Sequence, residues 1–313
     1  MINLFGKGAR FLAHTDQDFV AFPLGAPLVD FNQPYDVEQE FVTLNLHDQG
    51  SSESCVSHAW SYYHEMVRFI EFKNLPQFSR HDLYSRIFIK PEGGAFIKDG
   101  GNQICSVGQS LFSVDPDILP ATEDTMRLPG TPSAEPAGLE RSYAMLPASD
   151  INSIAAAIKQ FGGVVFGVTG SDAGWQDIHH PRAPLPGEPT WGHALYCKGY
   201  KMLNGKKVIV CKSSWNISPR EHYIDEDYFT SGNTFNAWTL TPKGQPMASN
   251  SILVGANKDA SGKFQEFGFY NAALSQDGLK EEAMERGFQL PVIPDGTLDF
   301  ETMQTQASEL IKK

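Results

Sequence analysis

Asp48-Gln49-Gly50-Ser51-Ser52-Glu53-Ser54-Cys55 runs directly into Val56-Ser57-His58-Ala59-Trp60-Ser61-Tyr62-Tyr63, and the second stretch tells how to read the first. Val56, Ala59, Trp60, Tyr63, Met66, Val67 and Ile70 recur at steps of three and four, which predicts a helix with one apolar face over residues 55–72. Ser54 is the expected N-cap, so Cys55 falls in the first turn. There the aligned peptide dipoles favour thiolate over thiol and lower the thiol pKa from about 8.5. A cysteine taken alone is more often a small buried hydrophobe. Its neighbours decide which reading holds.

Outward from this helix the pattern changes character. Asp150 is expected to cap a helix whose Ile151, Ile154, Ala155, Ile158 and Phe161 share a face, ended by Gly162-Gly163. Residues 164–168 form an apolar run too short for a helix and suited to a buried strand. Residues 193–200 and 207–211 read as two strands joined through Asn204-Gly205, a hairpin turn signal. Residues 91–148, rich in Gly, Pro and Asp, read as loops with short helices. A mainly helical first half followed by a strand-rich second half is an α+β chain. Residues 1–26 look like an N-terminal arm, and the segment from 241 carries expected helices at 279–286 and 299–311.

The Asp48 to Cys55 run resembles the papain-like cysteine peptidases, whose D-Q-G-x-x-x-S-C segment carries a glutamine six residues before the nucleophile. Gly192-His193-Ala194-Leu195 through Gly199-Tyr200 resembles the family's histidine strand, and Lys212-Ser213-Ser214-Trp215 its K-N-S-W motif. The three occur in the family's order. The resemblance spans roughly residues 27–240 and implies a two-lobed papain-like domain there, preceded by the arm at 1–26 and followed by a C-terminal extension at 241–313. It implies Cys55 as nucleophile, His193 as base and acid, and Gln49 with the Cys55 N–H as oxyanion hole. It also matches Gly100-Gly101 to the glycine pair that binds substrate backbone, and Trp215 to the tryptophan that shields the histidine. Gly192 leaves the corner before the histidine open.

The physical roles follow from the residue types. An imidazole beside a thiol holds a thiolate–imidazolium pair and then protonates the leaving amine; amide donors at the developing oxyanion stabilise the tetrahedral intermediate. The sequence departs from the family at four places. Ser213 stands where the family has the asparagine that orients the histidine, and its reach is shorter. With a strict two-residue turn at Asn204-Gly205, residue 213 pairs with 196, which puts Ser213 and His193 on opposite faces; a bulge, as at Gly199, or a longer turn would restore one face. Ser52 replaces a family cysteine, Val56 a family tryptophan, and Glu53 places a carboxylate near Cys55 that opposes thiolate formation unless it points into solvent.

Composition narrows the remaining classes. The 313 residues carry 25 Lys+Arg against 37 Asp+Glu, a net charge of −12, without the clustered basic residues a nucleic-acid partner requires. No stretch approaches the roughly 20 apolar residues of a membrane-spanning helix. Four scattered cysteines suit neither zinc ligation nor a disulfide scaffold, and Cys105, Cys197 and Cys211 are expected to be buried thiols in a reducing, cytoplasmic setting. His179-His180 with His222 read as surface histidines, so no metal and no cofactor are expected. The papain-like region begins near Pro27, which leaves no room for an inhibitory prosegment; control is expected from compartment, a partner or the extension. A peptide or protein substrate is the expected partner, with the extension available for assembly. Two other readings stand beside peptide hydrolysis: a catalytically silent papain-like module, as in a viral or phage particle, and a cysteine amidase on cell-wall or ubiquitin-like substrates.

Overall fold

A computed structural model describes residues 8–12, 29–132, 141–242, 257–258 and 264–265. In chain order the elements are β1 (Ala9–Arg10), β2 (Tyr35–Asp36), α1 (Val37–Glu40), α2 (Cys55–Phe72), α3 (Arg80–Ile87), β3 (Ala95–Phe96), α4 (Ile97–Ser106), α5 (Glu123–Met126), β4 (Arg141–Leu146) and α6 (Ile151–Phe161). There follow β5 (Val164–Ser171), β6 (Thr190–Leu203), β7 (Lys206–Lys212), β8 (Glu221–Asp225), α7 (Glu226–Thr230) and β9 (Thr234–Pro242). All of these belong to one unit that takes in residues 1–20 and 28–243. A second unit takes in residues 21–27 and 244–313, where β10 (Asn257–Lys258) and β11 (Phe264–Gln265) pair antiparallel. The helices expected at 279–286 and 299–311 lie outside the described residues.

The helix α2 is buried on all sides from Cys55 to Val67, because it packs against α3 and α4 in front and against β6 behind. Trp60 donates from Nε1 to the Ile97 carbonyl at 2.7 Å, and Tyr63 stacks between Trp60 and Tyr196. Each such fully buried aromatic contributes roughly 1.5–3 kcal/mol, which makes α2 the organising element of the core. Ser54 sits at the N-cap position, yet its side chain does not cap. Its Oγ is instead shared with Ser52 Oγ at 2.6 Å and lies 3.3 Å from His58 Nδ1.

The 91–148 region is more regular than its composition suggests. Ile97, Gly100, Gly101 and Ile104 form one buried face of α4. A Cβ on Gly100 would lie 2.3 Å from Trp60 Cδ1, and one on Gly101 2.8 Å from Trp60 Cζ2. The two glycines therefore exist to let α4 approach the Trp60 indole, and do not break the helix.

The second half builds a seven-stranded sheet in the order β4-β9-β5-β6-β7-β8, with β2 added to β6, and every pair is antiparallel. Asp150 caps α6 as expected by accepting from the Asn152 N–H, and Gly162 ends it in the left-handed conformation. Asn204 and Gly205 make the tight hairpin turn with φ of 51° and 79°. Two bulges interrupt the ladders. Cys197 is opposite Cys211 but Gly199 is opposite Val210, so Lys198 is an extra residue in β6. Val165 is opposite Trp238 but Gly167 is opposite Phe235, so β9 holds an extra residue at 236–237. The Lys198 amine enters a buried cluster with Asp36 at 2.7 Å, Glu38 at 3.0 Å and Glu221 at 2.7 Å.

Candidate active site

Cys55 begins α2 and faces β6, where the Ala194 N–H donates to its Sγ at 3.4 Å. The loop before it is pinned to the segment after β7: the Gln49 N–H donates to the Ser214 carbonyl at 2.9 Å, and Ser214 Oγ donates to Gln49 Oε1. Gln49 Nε2 donates to the Ser52 carbonyl at 2.9 Å, and Ser52 Oγ donates back to the Gln49 carbonyl at 2.7 Å. Hydrogen bonds from Ser52 thus brace the loop where a disulfide would otherwise do so. Cys55, Gln49 and His193 are all fully buried.

The register question at Ser213 is answered by the Lys198 bulge. Beyond it Tyr196 pairs with Lys212, so residue 213 continues opposite 195, two steps from His193 and on its face. The Ser213 hydroxyl is engaged with Trp215, accepting from its N–H at 3.0 Å and donating to its carbonyl at 3.4 Å. That turn lays the Trp215 indole on the His193 ring at 4.3 Å and 27°. Trp175 and Trp191 meet the same ring edge-on at 6.0 and 6.5 Å. His222, expected on the surface, is fully buried against Trp175 and Trp215, 6.2 Å from the His193 ring. Its Nδ1 lies 2.6 Å from the Ile178 carbonyl, and burial lowers its pKa to about 4. The aromatic wall of Trp175 and Trp191 carried no motif in the sequence, only isolated tryptophans far from His193 in the chain.

The cleft between α2 and β6 is occupied by residues 8–12 of the chain itself, part of the segment expected as an N-terminal arm and not named among the expected sources of control. β1 pairs in parallel with β3, Ala9 opposite Ala95 and Arg10 opposite Phe96. The Gly8 carbonyl accepts from the Ala95 N–H at 2.8 Å. Arg10 reaches Glu53 at 3.0 Å and the Gly93 carbonyl at 3.4 Å. A Cβ on Gly94 would lie 2.3 Å from the Gly8 carbonyl oxygen, and one on Gly192 2.0 Å from the Ala9 carbonyl oxygen. The corner at Gly192 is therefore filled, and bare glycines floor both sides of the segment. The glycine pair against the cleft is Gly93-Gly94, whereas Gly100-Gly101 belong to the interior of α4.

This occupancy sets the state of the thiol. Burial pushes Cys55 up to about 11; N–H groups of Ala194, Gly8 and Val56 pull it down, and the Glu53 charge adds to the rise. The helix terminus alone would lower the thiol pKa, as expected from sequence, but desolvation of a fully enclosed thiolate exceeds the dipole effect. Glu53 does not point freely into solvent but toward Arg10. Among the other cysteines, Cys197 and Cys211 are buried directly opposite each other with Sγ atoms 3.4 Å apart, while Cys105 is only half-buried. Among the described residues no three His, Cys, Asp or Glu side chains converge as metal ligands, and no helix is long and apolar enough to cross a membrane.

No protein-family model matches the chain, and no curated protein matches its sequence. Solved structures do match. Xylellain, a cysteine protease from Xylella fastidiosa, superposes with a TM-score of 0.61 at 20% identity, over 76% of this chain and 97% of that one. The fold is papain-like. Digestive procathepsin L 3 of Tenebrio molitor larval midgut gives 0.58 at 18% identity over 77% and 76% of the two chains. Bromelain from Ananas comosus, in complex with the E64 inhibitor, gives 0.51 at 19% identity over 67% and 98%. The chain is thus a divergent papain-like fold in which the helical and sheet lobes carry Cys55 and His193 respectively. These likenesses give no support to a phage or virion setting.

Proposed function

We propose that the protein is a thiol peptidase held latent by its own residues 8–12. The observation that carries this reading is the meeting of a cysteine at a helix start with the N–H that follows His193, beside an anchored Gln49. Once the segment leaves, the enclosure that keeps Cys55 neutral goes with it. The thiol proton passes to His193, and the thiolate attacks the substrate carbonyl. Gln49 and the Cys55 N–H donate to the oxyanion in this reading. The C–N bond breaks as His193 gives its proton to the amine, and water then cleaves the thioester with His193 as base. Trp215, fixed by Ser213, holds the imidazole plane where an asparagine would otherwise bond it.

The full-length Ala9→Asp variant tests this, because a carboxylate at buried position 9 expels the segment from the cleft. At neutral pH a peptidyl epoxide should then modify Cys55 ahead of Cys105, Cys197 and Cys211, as read by mass spectrometry. Adding His193→Ala should abolish the selectivity. Labelling of Cys55 no faster than of the other three would overturn the reading in favour of a silent module, which the fully enclosed sulfur also fits.

A further inference from the structure

The segment in the cleft is held at its far end by one side chain. Asn236 donates from Nδ2 to the Leu12 carbonyl at 2.7 Å and accepts the Leu12 N–H on Oδ1 at 2.9 Å. In an extended residue the N–H and C=O lie on the same side, so one carboxamide satisfies both, as a neighbouring strand would. Asn236 is itself buried, lies in the β9 bulge, and has a φ of 46°. Asparagine tolerates this left-handed conformation better than most residues, and a bulge re-aims the side chain it carries. The contact reads only main chain; the Leu12 side chain takes no part in it.

We propose that Asn236 is a main-chain clamp for an extended polypeptide bound in this cleft, used by the Leu12 segment in the latent state and by incoming peptide after its release. The proposal rests on the peptidase reading only for the nature of the incoming chain. With the segment gone, water meets the exposed carboxamide, and an extended peptide backbone displaces that water by returning donor and acceptor together in one geometry. The class of ligand is therefore any extended peptide segment, without selection for the side chain at the clamped residue.

Binding tests this independently of catalysis. Full-length Ala9→Asp protein is titrated with a fluorescein-labelled, C-terminally amidated peptide Gly-Ala-Arg-Phe-Leu by anisotropy. Asn236→Gly, which removes the carboxamide while easing rather than straining the backbone, should weaken binding roughly tenfold to a hundredfold. N-methylation of the peptide leucine should cost about as much with Asn236 present and little further in Asn236→Gly. Replacing that leucine by serine should leave the Asn236-dependent factor unchanged. Equal N-methylation penalties in both backgrounds overturn the clamp. In the otherwise unaltered chain, Asn236→Gly should speed iodoacetamide modification of Cys55 about tenfold by loosening the segment, and an unchanged rate also overturns it. A clamp that passes in a protein without turnover would sink the peptidase reading alone.

Discussion

Cys55 carries two opposing electrostatic instructions. Its place at the start of an 18-residue helix favours thiolate, while full enclosure by residues 8–12 and β6 favours thiol, and enclosure wins with a pKa near 11. At neutral pH the protein with this segment in place therefore holds a protonated sulfur, far less reactive than a free cysteine with its pKa of about 8.5. In the full chain the rate of Cys55 alkylation should rise continuously from pH 7 to 10 without a plateau. In Ala9→Asp, where solvent replaces the enclosing segment, the same profile should level off at least two units lower. Coincident profiles, measured by quenched-flow or manual labelling and peptide mapping, would mean that burial by this segment does not control the thiol.

At the scale of the element, two bulges do what the regular ladders cannot. One puts His193 and Ser213 on a common face and turns Lys198 inward; the other turns Asn236 toward the cleft. Lys198 is 5% exposed with three carboxylates around it, so the bulge is locked by charge. Lys198→Met should cost about 3–5 kcal/mol, since Asp36, Glu38 and Glu221 lose their shared cation inside the protein. The exposed Lys159→Met should change stability by less than about 0.5 kcal/mol; comparable urea midpoints for the two variants would refute the lock. Bulges also mark the limit of what the sequence made legible. α2, α6 and the Asn204-Gly205 hairpin were readable because periodicity, caps and turn residues act locally. So were Cys55, His193 and Gln49, each inside a motif. α4 was missed because Gly100-Gly101 look like breakers when only Trp60, forty residues earlier, explains them. Trp175, Asn236 and residues 8–12 reach the site through tertiary packing, which leaves no local trace.

Across the whole molecule, buried histidines tie stability to pH. His58 and His64 lie inside α2 and His222 behind the His193 wall, all enclosed, and burial lowers their pKa values to about 4, 3 and 4. In the unfolded chain each titrates near 6.5. Above pH 6.5 neither state is protonated at these positions, and their contribution is constant. As pH falls from 6.5 toward 4 the unfolded state takes up protons that the folded state refuses, so stability is progressively lost, by at most about 4 kcal/mol per pH unit if all three respond. Asp117 acts lower. Burial alone would raise its pKa, but the His47 hydrogen bond and the Arg80 charge outweigh it and hold the group near 2. Its stabilisation is present above about pH 4 and disappears as pH falls toward 2. Urea midpoints should therefore be flat from pH 8 to 7 and fall steeply between 6 and 4.5. His64 stacks on Phe78 at 3.8 Å and its Nδ1 lies 3.2 Å from Gln109 Oε1, so His64→Gln keeps a polar group in place while removing one titrating site. That variant should lose about one proton's worth of slope, roughly 1.4 kcal/mol per pH unit, within the same window. An unchanged slope would show that His64 is protonated in the folded protein, and that the interior around α2 is wetter than its packing implies.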